Sequence, residues 1–167
     1  AADDRGDTVH VRRRGPAVRV VVQRVASARV EAAGQVLASI GGGLLILAGF
    51  EEADADPDIA WMSAKLARLR IFPDAAGTMN RSLVDVQGEA LAVSQFTLFA
   101  STRRGNRPSW SRAARPEVAQ PLFDRFVGSL ERALGCRVQT GDFGADMQVH
   151  LINDGPVTIS IDSRCPE

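Results

Sequence analysis

Hydrophobic residues alternate with polar ones, or run unbroken, in short stretches along most of this chain, and only twice do they recur at helical spacing. VRVVVQRV at 18–25 mixes alternation with β-branched residues, and Arg29-Val30 and 36–40 continue it in short pieces separated by Gly34, which predicts strands joined by a hairpin. Gly41 to Gly43 lead into LLILAGF at 44–50, apolar throughout and so a strand covered on both faces. From Asp56 as N-cap, with Pro57 in the first helical position, Ile59, Met62, Leu66 and Leu69 recur every three or four residues, predicting an amphipathic helix to about Ile71. FPDAAG at 72–77 reads as a turn and ALAVSQFTLFA at 90–100 as a strand. A second helix starts near Pro116, buries Val118, Leu122, Phe126 and Leu130, and stops around Gly135. Strands at 146–152 and 157–162 close the pattern.

Two stretches break the local rules around them. NDGPVTI at 153–159 puts Gly-Pro inside strand-forming sequence, where proline cannot donate to a ladder and glycine packs nothing. It is either a strand-entry turn, with Pro156 opening the next strand, or a site where function has overridden local preference. SQFTL at 94–98 interrupts an apolar strand with polar side chains directed to both faces. Either this is an edge strand whose hydroxyls bond neighbouring backbone, or a ligand or solvent meets it.

The chain has 167 residues, 45% of them hydrophobic and 24% charged, which suits one globular domain with a sizeable core. Leu44 to Phe50 is too short an apolar run to span a bilayer. The first 16 residues, AADDRGDTVHVRRRGP, lack an apolar signal core and read as a polar extension outside the fold, leaving a single domain at 17–164. Cys136 and Cys165 fit no metal or disulfide framework, so the cytoplasm is the expected compartment. Net charge is zero but unevenly distributed. STRRGNRPSWSRAAR at 101–115 holds Arg103, Arg104, Arg107, Arg112 and Arg115 with no carboxylate, while EEADADPD at 51–58 concentrates the opposite sign.

Familiar catalytic sets are poorly served. A Ser-His-Asp triad has only His10, in the extension, and His150, on a strand face where a half-exposed structural histidine is the simpler reading. Asp54, Asp56 and Asp58 open like a calcium loop, but its sixth and twelfth positions are Ile59 and Lys65 where glycine and glutamate are required. Gly41 to Gly43 lack the Lys-Ser/Thr of a phosphate loop. No metal-ligand set and no cofactor motif is present. No base lies beside Ser94 or Thr97 in sequence, so a hydrolase built on SQFTL would work by positioning, by backbone donors to an oxyanion, or with a group of the substrate.

VVVQRV at 20–25, SQFTL at 94–98, TRRGNRPSW at 102–110, FGADM at 143–147 and NDGPVTI at 153–159, in this order and nearly without gaps from Val18 to Ser163, resemble the D-aminoacyl-tRNA deacylase (D-Tyr-tRNA deacylase) family. The resemblance implies a mixed α/β domain of mostly antiparallel sheets, barrel-like or layered, with two main amphipathic helices, assembled as a homodimer with sites at the interface. It implies hydrolysis of the ester joining a D-amino acid, or glycine, to the 3′-terminal adenosine of tRNA, without cofactor or membrane. A non-catalytic RNA-binding dimer of the same fold is the alternative.

Residue by residue, Gly155 and Pro156 match a Gly-cis-Pro pair that enters the partner's site and excludes L-side chains through backbone carbonyls that hold the α-ammonium. Arg24 matches the residue holding that loop, whereas an exposed strand arginine would need no such role. Phe143 and Met147 match the border of the adenosine site, though both would also suit a plain core. Ser94, Gln95, Phe96 and Thr97 match the substrate-facing strand. Thr97 sits where a nucleophile has been assigned in the family; the absent base favours water activated with help from the ribose 2′-OH, and backbone N–H groups near Phe96 receiving the oxyanion. Arg103, Arg104 and Arg107 then suit an RNA phosphate backbone, with a merely solvated loop as the alternative.

Overall fold

The alternation that begins at Val18 runs on through a single strand of 14 residues, β1 (Arg19–Ala32), and this strand organises the sheet. A computed structural model describes residues 17–166; the extension at 1–16 lies outside the described residues. The order continues with β2 (Gln35–Ile40), β3 (Gly43–Gly49), α1 (Asp56–Arg68), β4 (Phe72–Pro73), β5 (Met79–Arg81), β6 (Glu89–Ser94), α2 (Pro116–Leu134), β7 (Val138–Thr140) and β8 (Gln148–Asp162). Along one edge, β1 pairs antiparallel with β3 through Arg19 to Val25 and with β2 through Ala28 to Ala32. Its other edge is taken by antiparallel β8. The sheet then continues through β6 and β7, both parallel to their neighbours, so it is mixed, curling into a nearly closed barrel.

Period-two alternation gives this sheet two apolar faces. Val20, Val22, Leu44, Ile46, Ala90 and Ala92 face α1 and α2, where Met62, Leu66, Leu122 and Phe126 complete one core. Between and beyond them, Leu45, Leu91 and Val93 turn the other way and join Val25, Val30 and Ile40 inside the curl. The unbroken apolar reading of β3 reflects burial on both sides. At the β1–β2 hairpin Ala33 and Gly34 both take positive φ, 49° and 76°, the turn geometry whose twist suits paired strands.

Boundaries differ from expectation at both ends of α1, at the expected turn of 72–77, which begins as strand β4, and in the C-terminal strands. Helix α1 is capped at Ala55, whose N–H donates to Asp58 Oδ2 at 3.0 Å, one residue before the expected Asp56. It stops at Arg68 rather than Ile71, because Leu69 turns extended and Phe72-Pro73 pair with β5. The two expected C-terminal strands are one strand, β8, with an interruption in its pairing. Thr158 faces Gln23 and Asn153 faces Val25, so residues 154–157 bulge out opposite Arg24 alone. Pro156 therefore breaks no ladder bond: its position has none to make.

The oppositely charged segments meet. Glu51 Oε1 accepts from Arg112 Nε and Nη2 at 2.9 and 2.7 Å, and Oε2 from Arg164 Nη2 at 2.8 Å and the Ala17 N–H at 3.1 Å. Glu52 pairs with Arg115, and Asp56 with Arg125. One carboxylate joins both ends of the domain to the base of the arginine-rich segment. Beside it Asp54 is buried, with Oδ2 accepting the Glu51 N–H at 2.7 Å and Oδ1 unpartnered among the described residues.

Burial pushes the Asp54 carboxyl up to about 7, against the pull of the Glu51 N–H and with the nearby Asp58 and Glu51 charges adding to the rise. A folded pKa raised above the unfolded value means the protonated form suits the fold, and stability is lost as pH rises through it. Between about pH 6 and about pH 8 this group should cost on the order of 1 kcal/mol of stability. Asp54→Asn, which keeps an acceptor for the Glu51 N–H, should lose less over the same interval; equal urea midpoint shifts in the two proteins would count against the assignment.

Candidate active site

Strands β3 and β6 run parallel and end together, with Ala48 beside Ser94. Gln95 extends the pairing by one bond, its N–H donating to Ala48 O at 2.8 Å. The chain then turns into one 3-10 helical turn, Phe96–Phe99. The sequence pattern predicted strand through this stretch, and the structure corrects it: the polar interruption marks the end of the strand. The edge-strand alternative fails as well, because β6 is flanked by β3 and, over Ala90 to Ala92, by β7. Leu98 N–H donates to Gln95 O and Ala100 N–H to Thr97 O. The amides of Phe96 and Thr97 open the turn, where a helix supplies no acceptor of its own.

Beyond this strand end opens a cavity of about 880 Å³. Ser94, Gln95 and Phe96 at the strand end form its floor, and Phe143, Met147 and Trp110 also line it. Phe96 and Trp110 meet edge to face, ring centroids 5.5 Å apart, and remain 53% and 39% exposed. That aromatic surface is left open to a ligand. Phe143 leans on Phe123 at 6.3 Å, which fixes its ring from behind. Met147 is seated against Gly141, where an added Cβ would lie 2.6 Å from its sulfur. Gly49 has the same role below the floor: its Cβ would lie 2.7 Å from Gln95 O and 3.1 Å from the Phe99 ring.

Thr97 does not line the cavity, and no base is hydrogen-bonded to it among the described residues. Its hydroxyl accepts a hydrogen bond from the Gln95 side-chain amide. His150 sits apart from the cavity, in a shallow groove with Arg29; its Nδ1 is 3.2 Å from Arg29 Nη2 and its Nε2 3.3 Å from Glu31 Oε2. Glu117, Gln120 and Asp146 also line the cavity. The sequence reading singled out none of these, nor Trp110, although RPSW lay inside a quoted motif. Pro116, which starts α2, lines the cavity as well, but a proline in a first helical turn marks only where a helix begins.

The remaining candidates lie away from this cavity. Gly155 and Pro156 are joined by a cis peptide bond and are exposed at the β8 bulge; neither they nor Arg24 line the cavity of their own chain. The loop is nonetheless held firmly. Arg24 Nε donates to Asp154 O at 2.8 Å and its Nη1 to Ile71 O at 2.6 Å. Asn153 Oδ1 accepts the Val157 N–H at 2.8 Å while Nδ2 donates to Thr158 Oγ1 at 3.0 Å, replacing the ladder bonds that the bulge forgoes. Gly155, at φ 147°, leaves no room for a Cβ, which would sit 2.8 Å from the Val157 side chain. Arg103, Arg104 and Arg107 project from an exposed excursion closed by mutual Ser101–Ser109 backbone bonds of 2.9 Å. Arg112 and Arg115 are neutralised by Glu51 and Glu52, whereas the first three have no ion-pair partner among the described residues.

Residues 21–162 match the family model described as D-Tyr-tRNA(Tyr) deacylase. The chain is 63% identical to the D-aminoacyl-tRNA deacylase of Dechloromonas aromatica over 150 residues, covering 90% of this chain and 100% of that one. With the D-aminoacyl-tRNA deacylase of Chromobacterium violaceum it shares 62% identity over the same coverage. Among solved structures, a c-Myc DNA Unwinding Element Binding Protein superposes with a TM-score of 0.80 at 38% identity, over 86% of this chain and 97% of that one. A probable eukaryotic D-amino acid tRNA deacylase gives 0.77 at 18% identity, over 87% and 99%, a likeness of fold.

The close approach at Gly49 makes a specific demand. Gly49→Ala must push the Gln95 carbonyl and the Phe99 ring aside, and should cost about 2 kcal/mol or more in stability while displacing the cavity floor. Gly128→Ala, in α2 where the new Cβ meets only Arg132 Nη1 at 3.5 Å, should instead stabilise by about 0.5–1 kcal/mol. Equal effects of the two substitutions in denaturant titrations would contradict this account.

Proposed function

The chain belongs to the D-Tyr-tRNA(Tyr) deacylase family, and we propose that it hydrolyses the ester between a D-amino acid and the 3′-terminal adenosine of tRNA, releasing the free amino acid and intact tRNA. The observation that carries this reading is the convergence of Ser94 to Phe96, Phe143 and Met147 on one open cavity of a size suited to an aminoacylated adenosine. Phe143 and Met147 offer apolar surface to the adenosine. The strand end presents the Phe96 and Thr97 amides to the oxyanion that forms when water adds to the ester carbonyl. Thr97, whose hydroxyl is held by Gln95 and has no base, positions rather than attacks. The ribose 2′-OH of the substrate assists the water, and the 3′-oxygen leaves with a proton as the tetrahedral intermediate collapses.

In this reading two copies of the chain associate, and the Gly155–Pro156 loop of each completes the other's cavity. Its exposure, its absence from the cavity of its own chain, and its tethering by Arg24 and Asn153 support that placement. A wall of backbone carbonyls holding the α-ammonium leaves room for a D-side chain or for glycine and excludes an L-side chain by volume. The exposed Arg103, Arg104 and Arg107 lie along the tRNA phosphates, as clustered guanidiniums suit. The compartment proposed is the cytoplasm. The neighbouring structure described as a DNA-unwinding-element binding protein keeps a nucleic-acid-binding reading without catalysis as the alternative, but identity to the deacylases is far higher, 63% against 38%.

The assay is ester loss from D-Tyr-tRNA and L-Tyr-tRNA. The D-ester should be cleaved faster by at least about a hundredfold, since steric exclusion by backbone is worth several kcal/mol, and EDTA should leave the rate unchanged. Comparable loss of both esters, or EDTA inactivation reversed by zinc, would sink the reading. Activity per chain should also fall on dilution through the dissociation range of the dimer. Alanine at Arg103, Arg104 and Arg107 together should weaken tRNA binding and flatten its salt dependence by a slope of about 2 to 3, with the melting temperature retained.

A further inference from the structure

Helix α1 buries Met62 and Leu66 and turns a different face outward. Trp61, Lys65 and Arg68, spaced by four and three residues, fall on that face together. With Ala64, Leu69 and Arg70 they line a groove of about 340 Å³. Lys65 Nζ lies 5.4 Å from the centre of the Trp61 ring, and the half-buried indole also packs against the helix-facing core. Lys65, Arg68 and Arg70 are exposed and form no ion pair among the described residues. The Ser82 N–H and hydroxyl hold the Asp85 carboxyl below its usual range, with the Arg81 charge and then that of Arg70 adding to this. Two cations in a last helical turn are explained by the helix dipole alone. That explanation covers neither Arg70, beyond the helix end, nor an indole set among cations.

The position of the groove gives it meaning. Ile71, the residue after Arg70, offers its carbonyl to Arg24 Nη1 at 2.6 Å, and the same guanidinium holds Asp154 O at 2.8 Å. The groove therefore ends at the root of the Gly155–Pro156 loop. We propose that the Trp61–Lys65–Arg68–Arg70 groove is a second docking surface for the tRNA, contacting phosphates beyond the aminoacylated end and belonging to the subunit that lends the loop. This rests on the deacylase reading for the identity of the RNA and on the crossed placement of the loop. One tRNA is then held by both chains: by Arg103, Arg104 and Arg107 of the subunit holding the ester, and by the α1 groove of its partner. The occupant fits by charge, since an RNA strand is a regular row of anions, and by the indole, a surface for stacking on a ribose or an unpaired base.

The test uses the full chain with Lys65, Arg68 and Arg70 replaced by alanine, and a second variant with glutamine at the same positions, each checked by thermal unfolding. Both should raise KM for D-Tyr-tRNA about tenfold with kcat retained, and reduce the salt slope of tRNA affinity by about 2. Hydrolysis of D-tyrosyl-adenosine, which has no RNA body, should be unchanged. Unaltered KM and salt slope overturn the proposal, as does an equal loss on the adenosine ester. Should the unsubstituted chain fail to cleave D-Tyr-tRNA at all, the deacylase reading falls, and anisotropy with uncharged tRNA still decides the groove: weakened binding supports it and equal binding overturns it. Groove-dependent binding to anionic phospholipid vesicles with tRNA affinity intact also overturns it.

Discussion

The pairing of β1 on both of its edges is the constraint from which the rest of the structure follows. A strand of 14 residues, flanked at one edge by β3 and then β2 and at the other by β8, cannot shift register by one residue without exchanging its two apolar faces. The helix-facing core and the core inside the curl are fixed together by that single alignment. Because β3 is aligned on β1, and β6 on β3, the joint ending of β3 and β6 at Ala48 and Ser94 is aligned as well. The bulge in β8 is likewise set against one residue, Arg24. The cavity residues at the end of β6 and the projecting loop of β8 are thus referred to the same strand.

Much of this was legible in the sequence. The helix of Pro116 to Leu134 and its glycine stop were plain, as was the double burial of 44–50, because long periodic or uniformly apolar runs leave few alternatives. NDGPVTI was legible as a broken rule, and the break proved to be a bulge whose backbone bonds are taken over by Asn153. SQFTL was misread as continuous strand: alternation cannot reveal that a strand stops where its neighbour stops, since that depends on β3, some 50 residues earlier. Trp110, Glu117 and Gln120 were invisible for a related reason. Glu117 and Gln120 reach the cavity through the packing of α2 against the sheet, and Trp110 through its contact with Phe96; no local spacing records either.

The charge segregation was legible as a pattern but not as an outcome. Five arginines without a carboxylate stand against a run of carboxylates in the sequence, and only Arg103, Arg104 and Arg107 among them were expected to meet RNA. The fold divides them: Arg112 and Arg115 are consumed by Glu51 and Glu52, and the residues at the tip have no ion-pair partner among the described residues. Glu51, serving Ala17, Arg112 and Arg164 together, shows why a count of charges misleads. Its neighbours are brought from positions 17, 112 and 164, far apart in the chain, and the same residue closes the domain and anchors the loop.

That division bears on encounter kinetics. A chain with zero net charge exerts little pull on a polyanion at long range, and beyond about 8–10 Å in physiological salt such a pull would be screened anyway. Within that distance the field is local: Arg103, Arg104 and Arg107 on the exposed excursion have no ion-pair partner among the described residues, whereas Arg112 and Arg115 at its base are matched by Glu51 and Glu52. The attraction such a surface offers an anion is therefore short in reach and confined to the tip of the excursion, the matched pairs at its base adding little.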